Sequence, residues 1–414
     1  MASLQPIRGT HDILAEDHRL YRLVTETAFE IAAQYGYQEH STPIFEFTDV
    51  FARTLGDTSD IVTKEMYTFS DRNGESLTLR PEYTAGICRM FMSNGMTQQL
   101  PLKVFCRGPM FRYERPQKGR QRQFHQIDAE ILGVADPLAD MEVIALGAHI
   151  LDALGLSDRV KLELNTLGDT ESRKAYRSQL VEFFGDFRDK LSEDSLIRLE
   201  KNPLRILDSK DKGDRALIEN APLMADSLNA LSQDFFEAVK QGLDSVGIAY
   251  QVEPHLVRGM DYYCHTAFEF TTDTLGAQGA VLAGGRYDGL IETMGGTPTP
   301  GIGWAAGVER LSMMVGQAPE APRPITVIPV GNEQQAEAFM ITQRLRKAGL
   351  NVDLGYSGNV KKRLNRANKS NALAAILIGE DELAKGVVTL RDMETGEQTE
   401  APLTSLEEHL ARYR

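Results

Sequence analysis

The sequence predicts an α+β core built on an antiparallel sheet, interrupted by a helical segment and followed by a small α/β domain. Strand-like hairpins flank a block, residues 168 to about 250, that is almost wholly helical in pattern. A proline-rich stretch, Gln317–Pro324, then precedes a regular alternation of strands and helices. The expected segments are therefore 1–167 with 251–316 for the core, 168–250 for an insertion, 317–324 for a linker and 325–414 for the last domain.

From Asp17 to Tyr35 the apolar residues Leu20, Leu23, Val24, Ala28, Ile31 and Ala32 recur every three or four positions, the period of a helix with one buried face. Gln38 to Phe47 reads as extended, and Pro43, which lacks a backbone donor, places it at an edge or interface. Met66–Phe69 and Leu77–Arg80 flank an Asn73-Gly74 turn, a hairpin signal, and the residues after Pro81 look helical. Within the insertion the stripe Leu228, Leu231, Phe235, Val239, Leu243 and Val246 ends at Gly247. Past the linker come ITVIPV, a helix over about 332–348, NVDLG, a basic helix near 361–368, and AAILIG.

With 414 residues, 42% apolar and 25% charged, the chain has the composition of a soluble protein of two or three domains. Cys88, Cys106 and Cys264 are too few and too scattered for a disulfide framework, and without a CxxC pair or HExxH neither zinc nor another resident metal is expected. MASLQPIRGTHDI lacks an apolar leader core, and no run approaches ~18 apolar residues. A cytoplasmic protein away from membranes is the expectation. A net charge of -14 argues against a nucleic-acid coat protein and against DNA as a partner, but allows local RNA-binding patches.

One such patch stands out. Between Arg107 and Arg122, six basic side chains share sixteen residues with a single acid, Glu114. The alternation Phe105, Arg107 and Met110, Arg112 reads as a strand presenting guanidinium forks on one face, and the PQKG turn with the return run QRQFHQ completes a hairpin suited to phosphate. A solvated edge strand protected by cations is the alternative reading.

Four further features could carry chemistry. Glu82 and Thr84, beside Pro81, could grip an ammonium group or simply open a helix. Gln126 and Glu130 fall on one face of the return strand with His125 and Ile127 turned away; a buried carboxylate beside an amide favours a polar pocket. In LVRGMDYY, Arg258 precedes Tyr262 and Tyr263, although a local ion pair with Asp261 would also explain it. GGRYDG, carrying Tyr287, and GIGWAAGVER, ending at Arg310, hold glycines that suit close backbone approach within a sheet. GIGWAAG mimics a dinucleotide loop, but no βαβ unit surrounds it, and no GxxxxGK[ST] loop is present.

In this order the segments resemble the histidyl-tRNA synthetase family of class II aminoacyl-tRNA synthetases, from RGTHD at Arg8 to the end of the chain. FRYERPQKGRQRQFHQ looks like the family's motif 2, GIGWAAGVERL like motif 3, and the helix-strand around Gly36–Pro43 like motif 1. LVRGMDYY and GGRYDG resemble the two signatures specific to the histidine enzyme. The resemblance implies a class II catalytic core and a C-terminal anticodon-binding domain. It gives Arg112 and Arg258 the α-phosphate of ATP as the catalytic pair, Arg310 the adenine and γ-phosphate, and Phe124 the other adenine face. Glu82, Thr84 and Gln126 would hold the amino group of L-histidine, while Glu130, Tyr262, Tyr263 and Tyr287 would shape the imidazole pocket.

It further implies Mg2+ with the ATP, histidine tRNA as partner, a homodimer through motif 1, and an insertion that clamps the acceptor stem. Gln117, Arg120 and Arg122 would meet the tRNA end, and Lys361, Lys362, Arg363 and Arg366 would form a phosphate-backbone patch, although a solvated helix face has the same composition. One departure is Asp128-Ala129, where the family usually has a small or apolar pair; it places an extra acid near the pocket. The competing reading is a non-catalytic, histidine-binding regulatory paralogue of histidine biosynthesis, which would be expected to lose the ATP arginines, LVRGMDYY and the last domain. A purely RNA-binding module would leave Glu82, Gln126, Glu130 and Arg258 without a shared purpose.

Overall fold

The computed structural model describes residues 4–56, 59, 61–275 and 279–413, so the outermost residues of the expected 1–167 and 325–414 segments lie outside it. The chain divides into two compact units, Met1–Pro319 and Glu320–Arg414.

The first unit contains β1 (Gln38–Glu39), β2 (Phe45–Phe47), β3 (Tyr67–Ser70), β4 (Ser76–Leu79), β5 (Leu102–Phe111), β6 (Gln123–Leu132), β7 (Lys161–Thr166), β8 (Gln251–Val252), β9 (Cys264–Thr271), β10 (Ala280–Arg286) and β11 (Gly301–Gly307). Eight of these form one sheet in the order β1-β5-β6-β11-β10-β9-β7-β8, and β2-β4-β3 form a second, small sheet. The large sheet is antiparallel except at its edges, where β1 runs parallel to β5 and β8 parallel to β7. Pro43 falls in the break between β1 and β2, and the extended run that precedes it is an edge strand.

Strand periodicity sorts the side chains into two layers. On one face Phe105, Ile127, Ala129 and Ile131 pack with Val24, Ala28 and Ile31 of the helix Ala15–Gln34 and with Val143 and Ile150 of the helix Leu138–Ala153. Burial of this stripe takes one apolar face of each helix out of water. On the other face Val104, Cys106 and Met110 pack against Ile87 and Phe91 of the helix Thr84–Ser93. That face also carries Gln126, Asp128 and Glu130, and it holds the site.

The stretch expected as an insertion is helical, but it does not behave as one block. Tyr176, Leu180, Phe184, Leu199 and Ile206 build a satellite core of their own. The helix Ala230–Ser245 instead joins the main core through Phe236, Val239 and Leu243. The expected stripe is correspondingly shifted, since Leu231 and Val246 are exposed. Gly247, at φ +71°, ends the segment, with Ile248 N–H donating back to the Leu243 carbonyl.

The second unit is a five-stranded sheet in the order β13-β12-β14-β15-β16, where β12 is Ile325–Pro329, β13 Val352–Leu354, β14 Ala374–Ile378, β15 Val387–Asp392 and β16 Gln398–Pro402. Its first three strands are parallel, while the final hairpin, which the alternation of strands and helices did not announce, is antiparallel. The basic helix spans Val360–Lys369. Lys361, Lys362 and Arg366 are exposed on it, but Arg363 is buried and donates to the Pro329 carbonyl. The expectation that Arg363 belongs to a phosphate patch is therefore corrected: one turn before buried Ala367, it lies on the helix's inner face. Among the described residues no helix is long and apolar enough to cross a membrane.

Candidate active site

The basic hairpin forms, with β5 and β6 paired from Leu102↔Leu132 to Phe111↔Gln123, but its arginines do not share a face. Arg107 pairs with Glu39 at 2.8 Å and with Glu26 at 3.0 Å, on the side of the first helix. Arg112, five residues on, is on the opposite side. Its Nε donates to the Pro81 carbonyl at 2.9 Å, and its guanidinium lies 5.3 Å from the Phe124 ring centre. Arg107 thus serves the fold, and Arg112 faces a cleft of about 410 Å³.

One end of that cleft is anionic. Glu82 Oε2 accepts from Thr84 N–H at 2.7 Å and Oε1 from Ala85 N–H at 2.8 Å, so the carboxylate caps the helix Thr84–Ser93 while lining the cleft. Of the two uses foreseen for Glu82, the helix start is the one observed, with Pro81 lying outside the helix rather than at its first position. The Thr84 hydroxyl donates to Glu130 Oε1 at 2.6 Å, and the Tyr287 hydroxyl to Glu130 Oε2 at 2.5 Å. Burial raises the Glu130 carboxyl to about 8, against these two bonds. Asp128, 1% exposed, lies between Gln126 and Glu130 on the cleft face. Burial and the charges of Glu130 and Glu82 push it well above the usual carboxylate range, opposed by Arg80 and Arg112.

The neighbouring strands leave room for these side chains. A Cβ on Gly303 of β11 would lie 1.5 Å from Glu130 Oε2, and one on Gly301 would lie 2.2 Å from the Tyr287 ring. Gly301 and Gly303 of GIGWAAG serve close packing within a sheet, as expected, whereas Gly307 does not; β11 lies between β6 and β10.

The rest of the cleft carries arginines, most of them beside an acid. Arg258 forms an ion pair with Glu269 on β9, not with Asp261, and its guanidinium lies 5.5 Å from the Tyr263 ring centre. Arg310, at the start of the helix Val308–Val315, donates to the Ala280 and Gly119 carbonyls. Burial, then the nearby Arg120, lowers its pKa. Arg120 is held 2.5 Å from buried Glu114.

Of the residues singled out from sequence, Glu82, Thr84, Gln126, Phe124 and Tyr263 line the cleft together with Arg112, Arg120, Arg258 and Arg310. Glu130 and Tyr287 are buried behind Thr84, and Tyr262 packs at 4.6 Å from Tyr263 and 5.8 Å from Tyr287. Gln117 is exposed at the tip of the loop, where its N–H and carbonyl pair with those of Arg120. Arg122 lies over Tyr113 at 3.8 Å, and its N–H donates to the Gly9 carbonyl, so it is built into the hairpin base. Sequence reasoning missed Arg205, Asp208 and Lys210, which reach the cleft from the helical segment. It also missed Asn202, whose amide donates to Asp261 at 2.7 Å. No local pattern marks them, because only the tertiary fold brings that segment to the loop carrying Arg258. Among the described residues no group of three or more His, Cys, Asp or Glu is placed to hold a metal ion.

The sequence pattern of the family described as Histidyl-tRNA synthetase matches residues 9–311. The chain belongs to the histidyl-tRNA synthetase family. The pattern described as Anticodon binding domain matches residues 325–413, the second unit. Histidine–tRNA ligase of Rhodospirillum rubrum is 60% identical over 414 residues, all of both chains. That of Gluconacetobacter diazotrophicus is 56% identical over 411 residues, 99% of each. The apo structure of S. aureus histidyl-tRNA synthetase superposes with a TM-score of 0.83 at 35% identity, covering 98% of this chain and 99% of that one. The chain is a class II member of the histidyl-tRNA synthetase family, and the segment that resembles its motif 2 lies in β5, the loop and β6, the one that resembles motif 3 in β11 and the helix that follows.

Proposed function

We propose that this chain activates L-histidine with ATP and transfers it to the 3′ end of histidine tRNA. The observation that carries the reading is the lining of one cleft by the buried carboxylates Glu82 and Asp128 together with the guanidinium groups of Arg112, Arg258 and Arg310, within the family's own framework. Close identity along the whole chain to histidine–tRNA ligases sets aside the regulatory paralogue.

The ammonium group of histidine enters the anionic end, and its carboxylate oxygen attacks the α-phosphorus of ATP. Charge builds on the phosphate oxygens, where Arg112 and Arg258 neutralise it without any protein nucleophile. Pyrophosphate leaves as its magnesium complex, the metal having entered with ATP as substrate. The terminal ribose hydroxyl of the tRNA then attacks the carbonyl carbon of the adenylate, and AMP departs. Glu130, held by Thr84 and Tyr287, selects imidazole, because its carboxyl offers a ring nitrogen a hydrogen-bond partner that an isosteric apolar side chain cannot use. Phe124 and Arg310 hold the adenine between them. Lys361, Lys362 and Arg366 contact the tRNA backbone, and in the motif 2 loop the exposed Arg115 and Lys118 face it most freely.

The reading includes a homodimer. Phe45, Phe47 and Phe69 are 53%, 54% and 45% exposed on the small sheet, where Phe47, Leu77 and Phe69 stand in one row. Such a contiguous aromatic face fits a second copy of the chain. Three unpaired cysteines suit a reducing cytoplasm. Histidine-dependent exchange of pyrophosphate into ATP tests the activity; folded protein without exchange overturns it.

A further inference from the structure

The acceptors of the anionic end are unequally engaged. Both Glu82 oxygens accept backbone N–H groups of the helix start, and both Glu130 oxygens accept hydroxyls. Asp128 Oδ2 and Gln126 Oε1 are buried and have no donor among the described residues. A buried acceptor without a donor is costly, so this pair is built for a donor that arrives with a ligand.

The surroundings say which donor fits. Asp128 lies midway between Gln126 and Glu130, and residues two apart on a strand are roughly 7 Å from each other. Its partners on the flanking strands are Cys106 on β5 and Ala305 on β11, both small, and although Arg80 and Tyr83 are near it, Asp128 lines the cleft. Towards Glu130 the strand runs beneath Thr84 and Tyr287, which bond its carboxyl; towards Phe124 it reaches Arg112. A histidine laid along β6, ring at Glu130 and carboxylate towards the arginines, sets its ammonium group over the middle residue. An ammonium group brings three donors, more than one engaged carboxylate can satisfy.

We propose that Asp128 is a substrate-binding residue that accepts the α-ammonium group of histidine directly, together with Gln126. This rests on the histidine-charging reading above. Asp128 then sets specificity for a free amino group, and Glu82 becomes a reinforcing charge whose first task is holding the helix start.

Calorimetric titration of the full chain with three compounds tests this. Histidine carries ring, ammonium and carboxylate; histidinol lacks the carboxylate; imidazole-4-propionate lacks the ammonium. Asp128→Asn, close to isosteric, is expected to weaken histidine and histidinol by roughly tenfold or more, the loss of a charge-assisted hydrogen bond, and to leave imidazole-4-propionate unchanged. Asp128→Ser, smaller and uncharged, should give the same contrast and covers the case of an unstable Asn variant. Equal weakening of all three compounds, or no weakening, overturns the proposal. Failure of the unaltered chain to bind histidine would overturn the charging reading instead, so the two failures are distinct.

Discussion

Gly303 and Glu130 face each other on adjacent strands so closely that a single methyl group on the glycine would fall 1.5 Å from the carboxylate. The same Cβ would lie 2.6 Å from the Ala129 carbonyl, so neither a rotamer change nor a small backbone shift relieves it. Gly303→Ala should therefore fold with a loss of roughly 1–3 kcal/mol and displace Glu130 from Tyr287. Histidine affinity should fall far more than ATP affinity; comparable losses for both would contradict a role confined to the amino-acid end.

Glu130 also makes stability depend on pH. Its carboxyl holds a proton to about pH 8 in the fold but only to about pH 4.3 in an unfolded chain. Between those values the native state carries the extra proton, so stability falls as pH rises from about 4.5 to about 8 and levels off above. Glu130→Gln should reduce that slope. Urea midpoints at pH 5, 6.5 and 8 measure it, and an unchanged slope would assign the proton elsewhere.

The two halves of the motif 2 hairpin should separate kinetically. Arg112→Ala is expected to abolish pyrophosphate exchange. Arg120→Ala should also impair it, because it strands buried Glu114 beside Arg112. Lys118→Ala, at an exposed loop position, should spare exchange and slow transfer to tRNA. Single-turnover transfer from preformed adenylate separates the steps; normal transfer by the Lys118 variant would remove that residue from the tRNA surface.

In the second unit, Arg363→Ala should destabilise by roughly 1.5–3 kcal/mol through loss of a charged hydrogen bond to the Pro329 carbonyl. Reversing Lys361 and Lys362 to Glu should leave thermal stability near its original value and weaken tRNA binding, most at low salt. Melting curves and salt-dependent filter binding distinguish the two kinds of arginine and lysine.

Phe69→Asp, in the exposed aromatic row of the small sheet, should yield monomers in sedimentation. An unchanged dimer would place the interface on another surface.

The hairpin pairing, the strand at Gln126–Glu130 and the glycine-dependent closeness of β11 were legible because strand periodicity and turn chemistry are local. The sidedness of the arginines was misread as a single face, although Arg107 and Arg112 differ by an odd number of positions, which on one strand means opposite faces. Arg363 could have been placed by its four-residue spacing from Ala367. The reach of Arg205 and Lys210 into the cleft could not, since no short-range pattern encodes which loop a helical segment meets. The helix Ala230–Ser245 shows the same limit: its apolar stripe fixes a helix but not the core it joins.

Cys106, paired across the strands with Asp128, is buried, as is Cys88, and Cys264 is partly covered. Burial raises all three thiols, that of Cys264 to about 12. Only the thiolate is alkylated at a useful rate, so the native chain is chemically silent and reacts when a segment opens. The protein thus carries an intrinsic clock for opening of its ligand-bearing sheet. The time taken to label Cys106, with and without histidine, reads how firmly substrate closes that part of the molecule.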